Sequence, residues 1–110
     1  MHPVKYDMTT LELLRAAIAT RKQVIARYRG EPREFCPHIL GTKNGKFQCL
    51  VYQFAGFSSK GLVPGSPANI RCLVVEELSV VSLRDGPWHT SPLFATSTQT
   101  CVDVVDVEVQ

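Results

Sequence analysis

The dipeptide Asn44-Gly45 is the feature of this sequence that most constrains its fold. Asn-Gly pairs are typical of two-residue hairpin turns, because both residues tolerate the positive φ angles that such a turn needs. Strand-forming segments lie on either side, at 35–42 and 46–54, and we expect them to be antiparallel neighbours. Pro37 cannot donate a hydrogen bond to a neighbouring strand, which predicts a sheet edge or a bulge at that position.

One helix is predicted near the N-terminus. Thr9 and Glu12 fit a capping box, in which the Thr9 hydroxyl accepts a hydrogen bond from the Glu12 N–H and the carboxylate reaches back. Leu11, Leu14 and Ile18 follow at spacings of three and four, so one face of the helix should lie on a core. A helix of about two to three turns is too short to be stable alone in water. It must therefore pack against the rest of the chain.

The remaining chain is expected to be rich in β-strands. Segments 24–29, 70–75 and 78–83 consist mainly of strand-forming residues, and 102–109 is a valine-rich acidic stretch. Segment 55–69 contains three Gly, two Pro and three Ser, which predicts a loop. One short helix followed by five or six short strands indicates a mainly β protein with one N-terminal helix, folded as a small bent sheet or partly closed barrel.

Composition limits the classes of protein that this chain can be. Its 110 residues, of which 45% are apolar, suit one folded domain. No apolar run is long enough to span a membrane and no secretion leader is evident, so we expect a cytoplasmic protein without a membrane partner. Residues 1–60 hold ten basic and four acidic residues, whereas 61–110 hold two and six. The nearly balanced total charge argues against a protein that binds duplex DNA by charge alone. A basic surface formed by residues 1–60 is still possible.

The four cysteines stand singly along the sequence. Cys36, Cys49, Cys72 and Cys101 are separated by 13, 23 and 29 residues. Zinc sites and redox dithiols use close pairs of cysteines, so neither a metal nor another cofactor is expected. In a reducing compartment a single cysteine usually behaves as a small buried hydrophobe. We therefore expect four free, buried thiols.

Catalytic motifs are missing from the sequence. It contains no Gly-x-Ser-x-Gly elbow, no His-Glu-x-x-His pair and no phosphate-cradling glycine loop. His38 and His89 are the only histidines beyond the extreme N-terminus, and a single histidine is more often a surface or core residue than a catalytic base. The sequence therefore predicts a protein that is not an enzyme.

Segments 14–18, 24–28, 33–40, 45–52 and 71–78 follow one another in an order and at lengths that resemble the motifs of the WYL domain family. The likeness covers roughly residues 14–83, with Phe47-Gln48-Cys49 in place of the Trp-Tyr-Leu that names the family. Val74 and Glu77 stand where two of the three arginines of the last motif would be. The family pattern is a helix ending near Ala-Ile, a strand ending in Tyr, then Arg-x-Val-x-Pro-x-x-Leu, Gly-Arg-Trp-Tyr-Leu-Val-x-Tyr and Arg-x-Phe-Arg-Leu-Asp-Arg-Ile. The positions that match it are Tyr28, Arg33, Pro37, Leu40, Gly45 and Arg71.

This resemblance implies both a fold and a function. The fold would be a small Sm-like or SH3-like β-barrel with an N-terminal helix. In that family such domains are ligand-sensing modules of bacterial transcription regulators and defence proteins, where a basic groove bearing aromatic residues is proposed to bind nucleotides or single-stranded nucleic acid. By this likeness, we expect the ligand-binding residues to be Arg71, Arg33, Gln48 and Tyr28.

Each of these residues also has a structural interpretation. Arg71 begins an apolar strand, where it either contacts an anion or reaches water or an acid such as Glu76 or Glu34. Tyr28, flanked by two arginines, either offers a stacking ring beside cations or packs in the core. Gln48 is the polar exception on an apolar strand face and is a candidate to face a ligand groove.

Two functions stay open at this point. The first is a regulatory module that binds an anionic ligand such as a nucleotide or a single-stranded oligonucleotide. The second is a non-enzymatic interaction or assembly protein, with a protein partner, whose barrel has lost the ligand site. We expect an N-terminal arm at 1–8, a WYL-like barrel at 9–88 and a C-terminal extension at 89–110 that ends in a strand. That strand can pair within the chain or with a second chain, and we expect a homodimer formed by its exchange.

Overall fold

The computed structural model describes residues 8–59, 61–64, 66–96 and 98–110, so that most of the predicted N-terminal arm lies outside the described residues. The described chain is mainly β with one N-terminal helix, as the sequence predicts. No helix in this part of the chain is long and apolar enough to cross a membrane. The elements are helix α1 (Thr10–Thr20), strands β1 (Gln23–Tyr28), β2 (Glu31–Lys43), β3 (Lys46–Gly56), β4 (Ile70–Val74) and β5 (Leu78–Arg84), the short helix α2 (Leu93–Thr96) and strand β6 (Val104–Glu108).

All six strands form one antiparallel sheet. Five of them follow the order β4-β3-β2-β1-β5, and β6 pairs with β2. Strand β2 carries two neighbours along one edge, since residues 31–35 pair with β1 and residues 39–42 pair with β6. The outer strands β4 and β5 are joined only by the 3₁₀ turn Val75–Glu77, so the two edges of the sheet meet at one corner. This course is compatible with an Sm-like or SH3-like barrel.

The predicted hairpin is formed between β2 and β3. Asn44 and Gly45 both have positive φ, 53° and 79°, and Lys43 pairs with Lys46 across the turn. Pro37 lies where the register between β2 and β3 shifts, which is the bulge that a residue without an N–H favours. Both local predictions are confirmed.

Helix α1 also follows its sequence signals. The Thr9 hydroxyl accepts from the Glu12 N–H at 3.1 Å, and the Glu12 carboxylate accepts from the Thr9 N–H at 3.0 Å. The helix ends at Arg21, whose φ of 52° takes the backbone out of the helix. Leu14 and Ile18 are buried and attach the helix to one face of the sheet. Their partners in this first core include Val24, Phe35, Leu40, Cys49, Val51 and Leu73.

The C-terminal extension covers the other face of the sheet. Cys101 and Val102 pack there against Ile39 of β2 and Leu50 of β3, and Phe94 of α2 lies beside them. Alternate residues of β3 therefore pack beneath α1 and beneath the extension. In the sequence, Phe47, Cys49 and Val51 alternate with Leu50, Tyr52 and Phe54, and apolar residues on both faces of a strand predict cover on both sides. The sequence did not predict α2. The extension is continuous with the predicted barrel, because it supplies both a strand and a second core.

Strand β6 is the predicted terminal strand, and it pairs with β2 of its own chain. The alternation of valines along this segment breaks at the Val104-Val105 step, which predicts a bulge there. The register in fact shifts at Asp106. The Asp106 carboxylate accepts two hydrogen bonds from Arg15 of α1, at 3.0 and 2.8 Å. This strand therefore ties the helix to the sheet within one chain. Exchange of the strand in a homodimer stays a prediction.

The expectation of four free cysteines is wrong. Cys72 of β4 and Cys101 of the extension form a disulfide with their Cα atoms 5.6 Å apart, while Cys36 and Cys49 are free and buried. The bonded pair is separated by 29 residues, and it meets only because the extension returns across the outer face of the sheet. The disulfide therefore fixes the extension on the second core.

Replacing Leu14 with alanine should lower the free energy of unfolding by about 2–5 kcal/mol, because it leaves a cavity beneath α1. Urea unfolding measures the change. Leu13 lies on the same helix and is only partly buried, so Leu13→Ala is the matched control and should cost clearly less. Equal losses for the two variants would show that α1 does not pack as described.

Reducing the disulfide should lower the free energy of unfolding by about 3–4 kcal/mol, as the chain-entropy account gives for a loop of this length. Urea unfolding with and without a dithiol reductant measures the loss. The Cys72→Ser/Cys101→Ser variant should be indifferent to the reductant. Thiol titration of the unfolded, unreduced protein should find two free thiols, and a count of four would contradict the bond.

Candidate anion-binding site

The strand register places Arg33 and Arg71 on the core side of the sheet. Arg33 of β2 pairs with Ala26 of β1, and Arg71 of β4 pairs with Val51 of β3. Directly paired residues point to the same face of a sheet. Ala26 and Val51 both belong to the first core, and the two arginines are each only partly buried. The arginines therefore lie at the margin of that core.

The Arg33 guanidinium is enclosed by two aromatic rings and one amide. Its Cζ lies 5.3 Å from the ring centroid of Tyr28 and 5.7 Å from that of Phe57, which is within the range of a cation–π contact. Its Nη1 donates to the Gln53 Oε1 at 3.1 Å. Its Nε is buried and has no hydrogen-bond partner among the described residues. Arg33 thus keeps one N–H donor away from water and, among the described residues, unpaired.

Arg71 is held by neutral acceptors. Its Nη1 donates to the Ile70 carbonyl at 3.2 Å, and its Nη2 donates to the Ser58 hydroxyl at 3.1 Å. Within the described ranges, neither Arg71 nor Arg33 has a carboxylate within ion-pair distance. Two partly buried guanidinium groups therefore lie near each other, and no carboxylate of the described residues contacts either of them.

Of the alternatives open for Arg71, the pairing with Glu76 or Glu34 does not form. Glu76 pairs with Lys46 at 3.3 Å, and Glu34 pairs with Arg84 at 2.6 Å. Both acids are therefore engaged with other cations, which leaves the guanidinium of Arg71 to the neutral oxygens described above.

The two arginines act on each other electrostatically. Burial is the main cause that lowers the pKa of Arg33 from its ordinary value, and the positive charge of Arg71 is the next. Tyr28 and the nearby carboxylate of Glu31 act in the opposite direction. Arg33 stays charged at neutral pH, because an arginine ordinarily titrates far above it. Its lowered pKa means that a bound anion would relieve an unfavourable local charge.

Tyr28 lies in the core and supports the Arg33 guanidinium from the core side. Its ring is 6% exposed, and its centroid lies 5.1 Å from the Cζ of Arg29 and 5.3 Å from that of Arg33. The Tyr28 hydroxyl accepts from the Val74 N–H at 3.0 Å and donates to the Glu77 carboxylate at 3.2 Å. Arg29 reaches the ring because its φ of 51° takes it out of the strand. Tyr28 is therefore a core residue that supports Arg33, rather than an open stacking surface.

Phe57 belongs to the site and was missed by the sequence analysis. It is 45% exposed, with Arg33 against its ring. Its backbone is fixed, since its N–H donates to the Pro32 carbonyl and its carbonyl accepts from Gln53, both at 2.7 Å. Gly56 has a φ of 90°, and a Cβ there would overlap the Pro32 carbonyl. A glycine directly before the only aromatic residue of the 55–69 loop was the available signal.

Gln48 does not join the arginines. It lies on the opposite face of the sheet, where its Nε2 donates to the Cys101 carbonyl at 2.6 Å and contacts the Cys72 sulfur at 3.5 Å. There it lines a cavity of about 880 Å³ next to the extension. The single predicted site is therefore divided: Arg33, Arg71 and Tyr28 come together, and Gln48 lies elsewhere.

His38 is buried in the core beneath the extension. It is 2% exposed, and its ring stacks on Phe94 with centroids 3.8 Å apart. Its Nδ1 donates to the Cys36 carbonyl at 2.8 Å, because a carbonyl can only accept, and its Nε2 accepts from the Thr90 hydroxyl at 2.7 Å. Both ring nitrogens are therefore satisfied. Among the described residues, no group of three or more His, Cys, Asp and Glu is placed to hold a metal ion.

Comparison with models of protein families, with curated proteins and with solved structures finds no match to this chain. Function is therefore inferred from the residues and their geometry. Membership of the WYL domain family stays a prediction from the sequence.

Acidification should destabilise the protein through His38. Burial is the main cause that lowers the pKa of His38 to about 4, with a smaller contribution from the charge of Arg21. An unfolded histidine titrates near pH ~6.5, so the unfolded chain binds the proton first as the pH falls. The contribution of neutral His38 to the free energy of unfolding is fully present above pH ~6.5. It should decline by up to about 3 kcal/mol as the pH falls towards 4.

Urea unfolding across this pH range measures the effect. His38→Gln should lessen the slope, since one residue that titrates differently in the two states is gone. The carboxylates of Glu12, Glu77 and Asp106, whose pKa values are lowered in the folded chain by their hydrogen bonds, remain and keep part of it. His89 is only partly buried, and His89→Gln should keep the parent slope. A parent slope unchanged by His38→Gln would contradict the assignment.

Proposed function

We propose that this chain is a ligand-binding regulatory module that holds an anionic ligand, a nucleotide or a short single-stranded oligonucleotide, at Arg33 and Arg71. The observation that carries the proposal is the pair of neighbouring, half-buried guanidinium groups with no carboxylate in contact among the described residues. Placing two like charges out of water costs free energy unless an opposite charge compensates them. The likeness of Arg33 and Arg71 to basic positions of the WYL family supports the same ligand.

A phosphate group suits this pair better than other anions do. The planar fork of a guanidinium presents parallel N–H donors that match two phosphate oxygens. The Nε of Arg33 is buried without a partner among the described residues, which adds to the cost of burying this charge that a nearby anion would offset. The Ser58 hydroxyl accepts from Arg71 at 3.1 Å and donates to the Gly61 carbonyl at 3.4 Å, so it holds the Arg71 guanidinium in place. Arg33 and Arg71 would therefore form the phosphate contact, with Ser58 positioning Arg71.

The ring of Phe57 offers a contact for a second part of the ligand, its base. It is 45% exposed and lies against Arg33. An exposed ring beside a cation is the arrangement on which single-stranded nucleic-acid sites stack their bases. A phosphate at the arginines and a base on Phe57 together describe a nucleotide. With a formal net charge of only +2 on the whole chain, an extended grip on duplex DNA is not favoured.

Exposed valines support the second candidate function, an interaction or assembly protein. Val80 of the outer strand β5 is 76% exposed, and Val104 and Val105 of β6 are 66% and 49% exposed. Large apolar side chains on outer strands favour association with another chain. A homodimer or a protein partner would cover them.

Removing Arg71 should weaken nucleotide binding and leave the fold intact. Arg71→Ala, and separately Arg33→Gln, should lower affinity by about tenfold or more, since a hydrogen bond to a charged group contributes about 1.5–3 kcal/mol. Calorimetric titration with mononucleotides and short oligonucleotides at about 50 and 200 mM salt measures this, and binding must weaken as salt rises. Arg27 is exposed and, among the described residues, donates to the nearby Gly30 carbonyl alone, so Arg27→Ala is the matched control.

Phe57→Ala separates the base contact from the phosphate contact. It should weaken a nucleotide but leave the binding of ribose 5-phosphate unchanged, because only the nucleotide carries a base to stack. If the parent protein binds none of these ligands, or if Arg71→Ala changes nothing, the phosphate site is wrong. Light scattering on the same samples then tests the assembly function, which requires a mass above that of one chain.

A further inference from the structure

The cavity that Gln48 lines lies on the face of the sheet opposite to the arginines. Its volume is about 880 Å³, within the range of roughly 300–1,000 Å³ that small-molecule sites occupy. Ile39, Leu50 and Ile70 line it from the sheet, and Phe94 of α2 lines it from the extension. We call it the extension cavity. Its lining shares no residue with the proposed phosphate site, because the two lie on different faces of the sheet.

The charged residues that line the extension cavity are lysines. Lys43 and Lys46 flank the hairpin turn at one end, and the described lining includes no acid. The Nζ of Lys43 donates one hydrogen bond, to the Thr100 carbonyl at 2.5 Å, which leaves two of its three donors. Lys46 pairs with Glu76 at 3.3 Å, and both of those side chains are about two-thirds exposed. An anionic group can therefore reach both ammonium groups at this end.

The size of the occupant is limited by how the extension is fastened. The disulfide joins Cys101 to β4, Gln48 donates to the Cys101 carbonyl, and Lys43 donates to the Thr100 carbonyl. These three links hold the segment that borders the cavity in place. A helix or strand of a partner would need this segment to move, whereas a small molecule would not.

We propose that the extension cavity binds a small amphipathic organic anion, with an apolar body and a single carboxylate head, of which a medium-chain fatty acid is the simplest example. The body would lie on Ile39, Leu50 and Ile70, and the head would lie at Lys43 and Lys46. Leu93 is 38% exposed at the same cavity, and burying it adds to the apolar contact. Gln48, which the sequence likened to a ligand-facing position, belongs to this site.

Decanoate and decanol form the test pair, because they share one chain length and differ in the charge of the head. Each is titrated below its aggregation limit, at neutral pH, by calorimetry and by thermal unfolding. We expect decanoate to bind, to raise the midpoint of thermal unfolding, and to bind at least about tenfold more tightly than decanol. Equal binding of the two would overturn the role of the lysines, and no binding of either would overturn the site.

Three variants locate the binding. Lys43→Gln should weaken decanoate severalfold and leave decanol unchanged, whereas Lys22→Gln, which removes a lysine outside the cavity, should alter neither. Ile70→Phe fills part of the cavity from a partly exposed position, and it should weaken both ligands. If Ile70→Phe leaves both affinities unchanged, the ligand does not lie in this cavity.

Decanoate titration of Arg71→Ala separates this proposal from the phosphate site. We expect Arg71→Ala to bind decanoate as the parent does, whether or not the parent binds nucleotides. Loss of decanoate binding in Arg71→Ala would place the fatty acid at the arginines and overturn the extension cavity as its site.

Discussion

Strand β2 is the element on which the rest of the structure depends, because it is paired along both edges and covered on both faces. Strand β3 pairs with one edge, and β1 and β6 share the other. Seven consecutive residues, 35–41, are buried. Such a strand needs cover on two sides, which α1 supplies on one and the extension on the other. Gly41 shows how close that cover is, since a Cβ there would overlap the Val104 carbonyl and the Val102 side chain.

The parts of this fold that the sequence predicted depend on residues close together in the chain. The capping box spans Thr9 to Glu12, and the hairpin turn needs only Asn44-Gly45 between two strand-forming segments. The disulfide between Cys72 and Cys101 was missed for the opposite reason. Its partners meet only after the extension has crossed the sheet, and spacing in sequence carries no information on that path. The four-residue helix α2 is likewise held by tertiary packing rather than by a helical pattern.

The candidate site shows the same division. Arg33 and Arg71 were singled out by resemblance, but their meeting depends on the register of β4 against β3, which pairs Arg71 with Val51 of the first core. Alternation along β3 places Gln48 on the other face from Val51, so the predicted site could not hold all its residues once that register was set. Phe57 lies in a loop, where periodicity gives no face, and the positive φ of Gly56 directs the chain so that Phe57 lies against Arg33.

The disulfide makes one face of the sheet sensitive to redox conditions and leaves the other independent. Disulfides persist in oxidising surroundings, whereas the sequence predicted a reducing one. Cys72 is exposed and open to a thiolate, while burial raises the pKa of Cys36 to about 11, so that this thiol does not compete in exchange. Reduction removes only the covalent tie, because β6 still pairs with β2 and Arg15 still binds Asp106. The extension would therefore stay docked at lower stability, and the arginines on the opposite face would keep their contacts.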